Sequence, residues 1–276
     1  MIGIVGHGYV GQAVHRVFKD AKVYDPGNPA TRNKDAINQC ELAIICVPTD
    51  PRDDGSCDIS IVEESVKWIE CPLILIKSAI PPGTTDLLSE KYGKRVVVSP
   101  EYIGEGKYYV PPEYPHPTEM IRHRFQIFGG NPEDTSAIIE FFVPVVGPHV
   151  FFYQTKAKTA EFIKYWENSW GAMKVTFCNE IRKMAECMGI DYWDAREGWA
   201  LDSRVEKMHT AVFDKRRGYK SKCFDKDIPA FIKCAEENGY EPTLLKEVVE
   251  TNKRIRGNGQ RPDKKRFVPK RSCITQ

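Results

Sequence analysis

Short, nearly unbroken apolar runs alternate with stretches of helical spacing through the first half of the chain. The runs are Ile2 to Val5, Ala21-Lys22-Val23-Tyr24-Asp25, Glu41-Leu42-Ala43-Ile44-Ile45-Cys46-Val47, Pro72-Leu73-Ile74-Leu75-Ile76-Lys77-Ser78, Arg95-Val96-Val97-Val98-Ser99-Pro100 and Arg124-Phe125-Gln126-Ile127-Phe128-Gly129-Gly130. Those at 41–47 and 72–78 lack the alternation of a half-exposed strand and read as parallel strands covered on both faces. Between the runs, apolar positions return with helical period, as at Val10, Val14, Val17 and Phe18. Each run ends in polar or turn residues, such as Pro48-Thr49 and Pro81-Pro82-Gly83-Thr84-Thr85. Strands separated by helical stretches predict an α/β fold with a doubly wound sheet and ligands at the strand C-termini.

After about residue 155 the pattern changes. From Thr159 to Met188 an unbroken helical pattern runs through Phe162, Ile163, Trp166, Trp170, Met173, Val175, Phe177, Ile181, Met184 and Met188, with Gly171 the one glycine inside it. Its length and wide apolar arc predict a central core helix, part of which packs against a second subunit as a homodimer. The expected division is a sheet domain over 1–152, an all-α domain built on the long helix over 153–252, and a basic tail over 253–276. Tyr108 to Pro117 is too rich in proline for helix or strand and reads as a surface loop.

Composition excludes several classes. Forty Lys and Arg against 38 Asp and Glu leave a formal charge of +2, which argues against a dedicated nucleic-acid binder. No apolar run reaches the roughly 18 residues of a membrane span, and the N-terminus reads as a buried strand rather than a signal peptide. The nine cysteines are scattered, without CxxC or Cys/His metal spacing. They suit reduced thiols in a cytoplasmic protein without a metal site.

The first run leads into Gly6-His7-Gly8-Tyr9-Val10-Gly11 and then a helix. This strand, glycine turn and helix have the order of a Rossmann dinucleotide fingerprint. Gly6 allows the tight turn, Gly8 admits a pyrophosphate to the backbone, and Gly11 brings helix and sheet together. The helix N-terminus offers unpaired N–H groups to phosphate. Asp25 closes the second strand, where a carboxylate accepts hydrogen bonds from the adenosine ribose and repels a 2′-phosphate, favouring NAD over NADP. The alternative for Asp25 is a turn residue before Pro26-Gly27.

Gly218-Tyr219-Lys220-Ser221-Lys222-Cys223-Phe224-Asp225-Lys226-Asp227 places Lys220, Lys222 and Lys226 near a cysteine, and nearby cations favour thiolate. Read alone, the stretch is as well a surface turn. Lys164 and Asn168 alone would be the wet face of the long helix, Glu101 a helix-start residue and Asp227 an N-cap.

Taken together, the motifs resemble the UDP-glucose/GDP-mannose dehydrogenase family. The pieces occur in family order: the glycine turn, Cys46-Val47-Pro48-Thr49, Lys77-Ser78 with Pro81 to Thr85, Ser99-Pro100-Glu101-Tyr102-Ile103-Gly104-Glu105-Gly106, Thr159 to Lys164 with Asn168, Asn179-Glu180, Arg204, and Cys223 to Asp227. The resemblance implies NAD-dependent double oxidation of a primary alcohol on a nucleotide sugar to a carboxylate, in service of polysaccharide synthesis. Cys223 is then the nucleophile and Glu101 assists thioester hydrolysis. Lys164 and Asn168 steady the developing alkoxide, and Asp227 works with Lys164 and an ordered water. Cofactor contacts fall to Gly6, Gly8, Tyr9, Val10, Gly11, Asp25, Val47, Pro48, Thr49, Ser78, Glu105 and Lys226. Substrate contacts fall to Glu101, Tyr102, Lys164, Asn168, Tyr219 and, reaching the neighbouring subunit's substrate, Arg204.

The chain departs from the family pattern in three places. Ala79 stands where members usually carry threonine. Lys220-Ser221-Lys222 replaces a small, glycine-rich segment. Typical members continue into a third, nucleotide-binding domain where this chain stops, so the expected substrate is smaller, held more weakly or held by a partner. Phe224 and Lys226 resemble the UDP-glucose branch. The alternatives are a dehydrogenase acting on another alcohol in one two-electron step, or a non-catalytic NAD-binding remnant.

Overall fold

The computed structural model describes residues 1–103 and 119–257. Glu105, the Pro-rich stretch and the tail beyond residue 257 lie outside the described residues. Seven strands form one sheet: β1 (Ile2–Val5), β2 (Lys22–Tyr24), β3 (Leu42–Ile45), β4 (Leu73–Ile76), β5 (Val96–Val98), β6 (Phe125–Gly129) and β7 (Phe151–Thr155), in the order β2-β1-β3-β4-β5-β6-β7. The register aligns Ile4, Ile44, Leu75 and Val97 in one row and Val5, Ile45, Ile76 and Val98 in the next. Successive residues of a strand point to opposite faces, so the two rows feed two separate cores. This is why β3 and β4 are apolar throughout. Each such aliphatic side chain contributes about 1.5–3 kcal/mol by its burial.

Helices α1 (Tyr9–Val17) and α5 (Pro132–Val146) cover one face through Val14, Val17, Ile138 and Phe142. Helices α2 (Lys34–Asn38), α3 (Ser60–Trp68) and α4 (Thr84–Tyr92) cover the other through Ile37, Val62, Val66 and Leu88. The doubly wound sheet predicted from the apolar runs is thus present, with two differences. β6 pairs with β5 antiparallel through Val98 and Gly129, because direction is set by the connection and not by the hydrophobic pattern. β7 was not foreseen; it adds parallel to β6 and carries the sheet to Thr155, past the expected boundary at 152.

The predicted long helix is α6 (Ala157–Met188), at 32 residues. It begins against the sheet, where a Cβ on Gly129 would stand 2.5 Å from that of Ala160. Glycine at the end of β6 is what lets helix and strand approach so closely. Helices α7 (Tyr192–Trp199), α8 (Lys222–Glu237) and α9 (Thr243–Gly257) complete the helical part, with α8 and α9 packed on α6 through Ala172, Ile228 and Val248. α9 runs through residues assigned above to the tail. No helix among the described residues is long and apolar enough to cross a membrane.

Lys77 follows β4 and is 1% exposed. Its ammonium donates to Ser99 Oγ at 3.0 Å and the Pro100 carbonyl at 3.4 Å. Burial pushes its pKa down to about 8 from an ordinary 10.5. Between those values the unfolded chain keeps a proton that the folded one has released, so this group makes stability rise with pH across the window. Its slope approaches about 1.4 kcal/mol per pH unit where release is complete. Denaturant midpoints at pH 8, 9 and 10 should show this rise in the wild type and its loss in Lys77→Met; equal slopes would contradict it.

Candidate active site

The glycine turn shows the local conditions a dinucleotide phosphate needs. Gly6 has φ +88°, and a Cβ on Gly11 would lie 2.0 Å from the Gly6 carbonyl, so neither position admits a side chain. A Cβ on Gly8 would meet no atom within 4 Å. α1 has neither a side-chain cap nor an acidic residue in its first turn, which leaves its N–H groups available for an anion. Tyr9 is exposed beside this cradle and Val10 half-buried. The residues present therefore fit a dinucleotide pyrophosphate.

Asp25 sits at the end of β2 as expected. Its Oδ2 accepts from the His7 N–H at 2.8 Å and its Oδ1 from the Gly27 N–H at 2.8 Å, so it fixes the glycine turn as well as the turn after it. Thr49 donates to the Ala79 carbonyl at 2.9 Å and Ser78 to the Val47 carbonyl at 2.7 Å. These hydroxyls tie the loops after β3 and β4 together, and Pro48 stands exposed between them.

A second cluster forms where α6 and α8 meet the strand ends. Lys164 is buried, with Nζ 3.9 Å from Glu101 Oε1, 3.1 Å from Glu167 Oε2 and 4.9 Å from the centre of the Tyr102 ring. Burial opposes its charge, but Glu167 and Glu101 outweigh that and hold its pKa above the ordinary lysine value. One turn along α6, Asn168 Nδ2 donates to Asp227 Oδ2 at 2.6 Å. Lys226 Nζ pairs with the other oxygen of Asp227. Asp227 lies inside α8; the cap of that helix is Ser221, whose Oγ accepts from the Phe224 N–H at 2.9 Å. The N-cap reading of Asp227 is thus excluded. Glu101 Oε2 accepts from the Ile103 N–H at 3.0 Å, and Glu101 lines a narrow cleft with Val10, Lys77 and Tyr102. The cleft joins the glycine-turn helix to this second cluster.

Cys223 is the second residue of α8 and half-buried. The lysines near it in sequence were expected to make its thiol more acidic. The structure reverses this: burial pushes the pKa up to about 11, Glu101 and Asp227 add to the rise, and the opposing cations are Lys164 and Lys226. Lys220, before the Ser221 cap, and Lys222, at the first position of α8, are exposed and are not among them. The resting group is a thiol among fixed charges.

Cys223, Lys164, Asn168, Asp227, Glu101, Tyr102 and Lys226 are brought together. Tyr219 belongs instead to the α6–α8–α9 core at 7% exposure, with its N–H and carbonyl both bonded to Asn252. Arg204 stands away from the cluster, exposed and paired with Asp202. Two carboxylates were not singled out from the sequence. Glu167 is the nearest partner of Lys164. Glu161, 2% exposed, accepts from the Gly83 N–H, from the Thr85 N–H at 2.8 Å and from Thr85 Oγ1 at 2.6 Å. Burial lifts its pKa to about 7 against those three donors. Ser221 was legible as a cap, since serine preceding a helix is a start signal. A buried ammonium, an amide donor and a thiol in one cluster can stabilise an oxyanion and bond covalently to a carbonyl carbon.

Comparison with known proteins finds relatives for both the sheet part and the helical part. Residues 27–121 match the UDP-glucose/GDP-mannose dehydrogenase family, NAD binding domain, and residues 158–254 match the central domain of the same family. The UDP-glucose 6-dehydrogenase of Rickettsia typhi is 29% identical over 239 residues, covering 82% of this chain and 51% of that protein. The UDP-glucose 6-dehydrogenase AglM of Haloferax volcanii is 26% identical, covering 91% of this chain and 69% of that protein. The chain thus spans about half the length of several curated relatives it matches. A UDP-glucose dehydrogenase from Pyrobaculum islandicum shares the fold with a TM-score of 0.77 at 24% identity, covering 92% of this chain and 68% of that one. A 3-hydroxyisobutyrate dehydrogenase from Mycobacterium tuberculosis shares it with a TM-score of 0.65 at 15% identity, covering 94% of both chains. With two domains of one family in sequence and the matching sheet and long helix in space, the chain belongs to the UDP-glucose/GDP-mannose dehydrogenase family.

Proposed function

We propose that the protein oxidises the primary alcohol of a nucleotide sugar, with UDP-glucose as the first substrate to test, to the uronate in two steps through a covalent Cys223 intermediate. The observation that carries this reading is Cys223 near the start of α8, within electrostatic reach of Glu101 beyond β5, Lys164 on α6 and Asp227 one turn on in α8. The glycine turn from Gly6 to Gly11 would hold NAD⁺, which when bound would supply the hydride acceptor for each oxidation. Lys164 and Asn168 donate to the substrate oxygen and steady it as its proton passes through water to Asp227. Once an aldehyde stands there, the thiol sulfur bonds to its carbon and the thiol proton passes to the carbonyl oxygen, giving a thiohemiacetal without change of oxidation state. Loss of the second hydride and of the hydroxyl proton gives a thioester. Water then breaks the C–S bond with Glu101 accepting its proton, releasing the carboxylate and the thiol. A thiol suits this part because it adds readily to carbonyls and leaves readily from an acyl group.

The alternative is one two-electron oxidation, favoured by the full-length match in fold to a hydroxyacid dehydrogenase. Product stoichiometry separates the two. Two NADH per UDP-glucose, with uronate formation abolished in Cys223→Ser, is the expected result; one NADH and an isolable aldehyde would select the alternative. Glu101→Gln should keep the first oxidation and lower turnover to uronate by about 10²–10⁴. Single-turnover NADH formation followed by acid quench distinguishes the halves, and wild-type uronate turnover would contradict the role of Glu101.

The dimer expected from the long helix is part of the same proposal. Phe162, Trp166, Trp170, Phe177, Met184 and Met188 line one side of α6, all exposed in the single chain, with Trp166 at 62%. Such an apolar stripe suits self-association, and by the family resemblance Arg204 would then reach the neighbouring copy's substrate. Light scattering should find a dimer in the wild type and a monomer in Trp166→Glu; an unchanged mass would rule out this face.

A further inference from the structure

The middle of α6 carries a glycine where helix propensity alone would choose almost anything else, at about 1 kcal/mol relative to alanine. Gly171 is buried, and a Cβ there would stand 2.8 Å from Phe224 Cζ and 3.2 Å from His209 Cδ2. Phe224 is the neighbour of Cys223 in the first turn of α8. Its ring is held edge-on by His209 at 5.6 Å and by Tyr219 at 5.7 Å between centroids. Its backbone N–H is bonded to Ser221 Oγ, which ties the main chain at Phe224 to the cap of α8. Tyr219 is fixed in turn by Asn252 on α9. His209 has φ +64°, the one non-glycine residue in the left-handed region among those described. Such a conformation persists where surrounding contacts over-determine it. One turn before Gly171, Asn168 is bonded to Asp227, one turn beyond Cys223. The two contacts pin α8 to α6 on either side of the thiol.

We propose that Gly171 is a positioning residue. By lacking a side chain it lets the Phe224 ring rest on the backbone of α6, which sets the depth of α8 and holds Cys223 among Lys164, Glu101 and Asp227. The proposal rests on the reading of Cys223 as nucleophile, but its first test needs no substrate. Alkylation of Cys223 by iodoacetamide, followed by mass spectrometry across pH 7–10, reports its burial and acidity in the full chain. Gly171→Ala should lift the first turn of α8 and speed alkylation about threefold or more, because burial is the largest influence on this thiol. Phe224→Leu alone, which empties the same contact, should also depart from wild type. The double variant, in which leucine no longer meets the new Cβ, should lie closer to wild type than either single one. In turnover, Gly171→Ala should lower kcat about tenfold or more with the KM for NAD⁺ unchanged, and the double variant should recover. Wild-type alkylation in Gly171→Ala, or a double variant no nearer wild type than the singles, overturns the proposal. If Gly171→Ala does not fold, the comparison of Phe224→Leu with the double variant decides it. Absence of NADH formation by the wild-type protein counts against the proposed function instead, and the alkylation series still decides this one.

Discussion

The carboxylate of Glu161 joins the two halves of the molecule. It sits on the first turns of α6 and accepts three hydrogen bonds from the start of α4. That start is continuous with Ser78 and Ala79, which are tied to Val47 and Thr49 at the end of β3. Lys164 lies one turn beyond Glu161 on α6, and Asn168 one turn further. The loops beside the glycine turn and the side chains around Cys223 therefore share one frame. Breaking these bonds would leave a buried carboxyl group without partners, at about 1–3 kcal/mol, so this joint resists both sliding and separation. The contact of Gly129 with Ala160 removes the remaining freedom by bringing helix and strand to backbone distance.

Within that frame the charges alternate. Glu101 and Glu167 flank Lys164, and Lys226 and Asn168 flank Asp227. Lys164 is held charged by Glu167 and Glu101, while Cys223 is held neutral by burial. A resting thiol is less exposed to oxidation and alkylation than a thiolate, since reactivity follows thiolate character. In the proposed mechanism it would become a nucleophile as its proton passes to the oxygen of the carbonyl it attacks, with Lys164 and Asn168 as donors. That proposal has the sulfur act only once a carbonyl has formed.

Much of this was readable along the chain. The glycine turn needs a left-handed backbone at Gly6 and close approach at Gly11, both of which the local glycine pattern signals. The strands β3 and β4 declared two-sided burial by their unbroken apolar runs, and α6 by its period. Residues carried over from the family motifs at 101, 164, 168, 223 and 227 do converge. Other features were hidden. β7 is a short edge strand whose pairing depends on β6, and the reversal of β6 depends on a connection rather than on its own residues. The thiol was misjudged from Lys220 and Lys222, since adjacency in sequence does not by itself bring side chains together. Tyr219 proved to be core because Asn252, distant in sequence, holds its backbone.

The sequence by itself determined the kind of fold, the cofactor turn and the inventory of reactive groups, because these follow from backbone preference, hydrophobic period and residue chemistry. Only the tertiary structure decided which charges face Cys223, how deeply α8 seats on α6, and that Glu161 is a joint rather than a surface acid. Those outcomes depend on burial and on distances between residues far apart in the chain, and desolvation reverses the sign that sequence neighbours alone suggest.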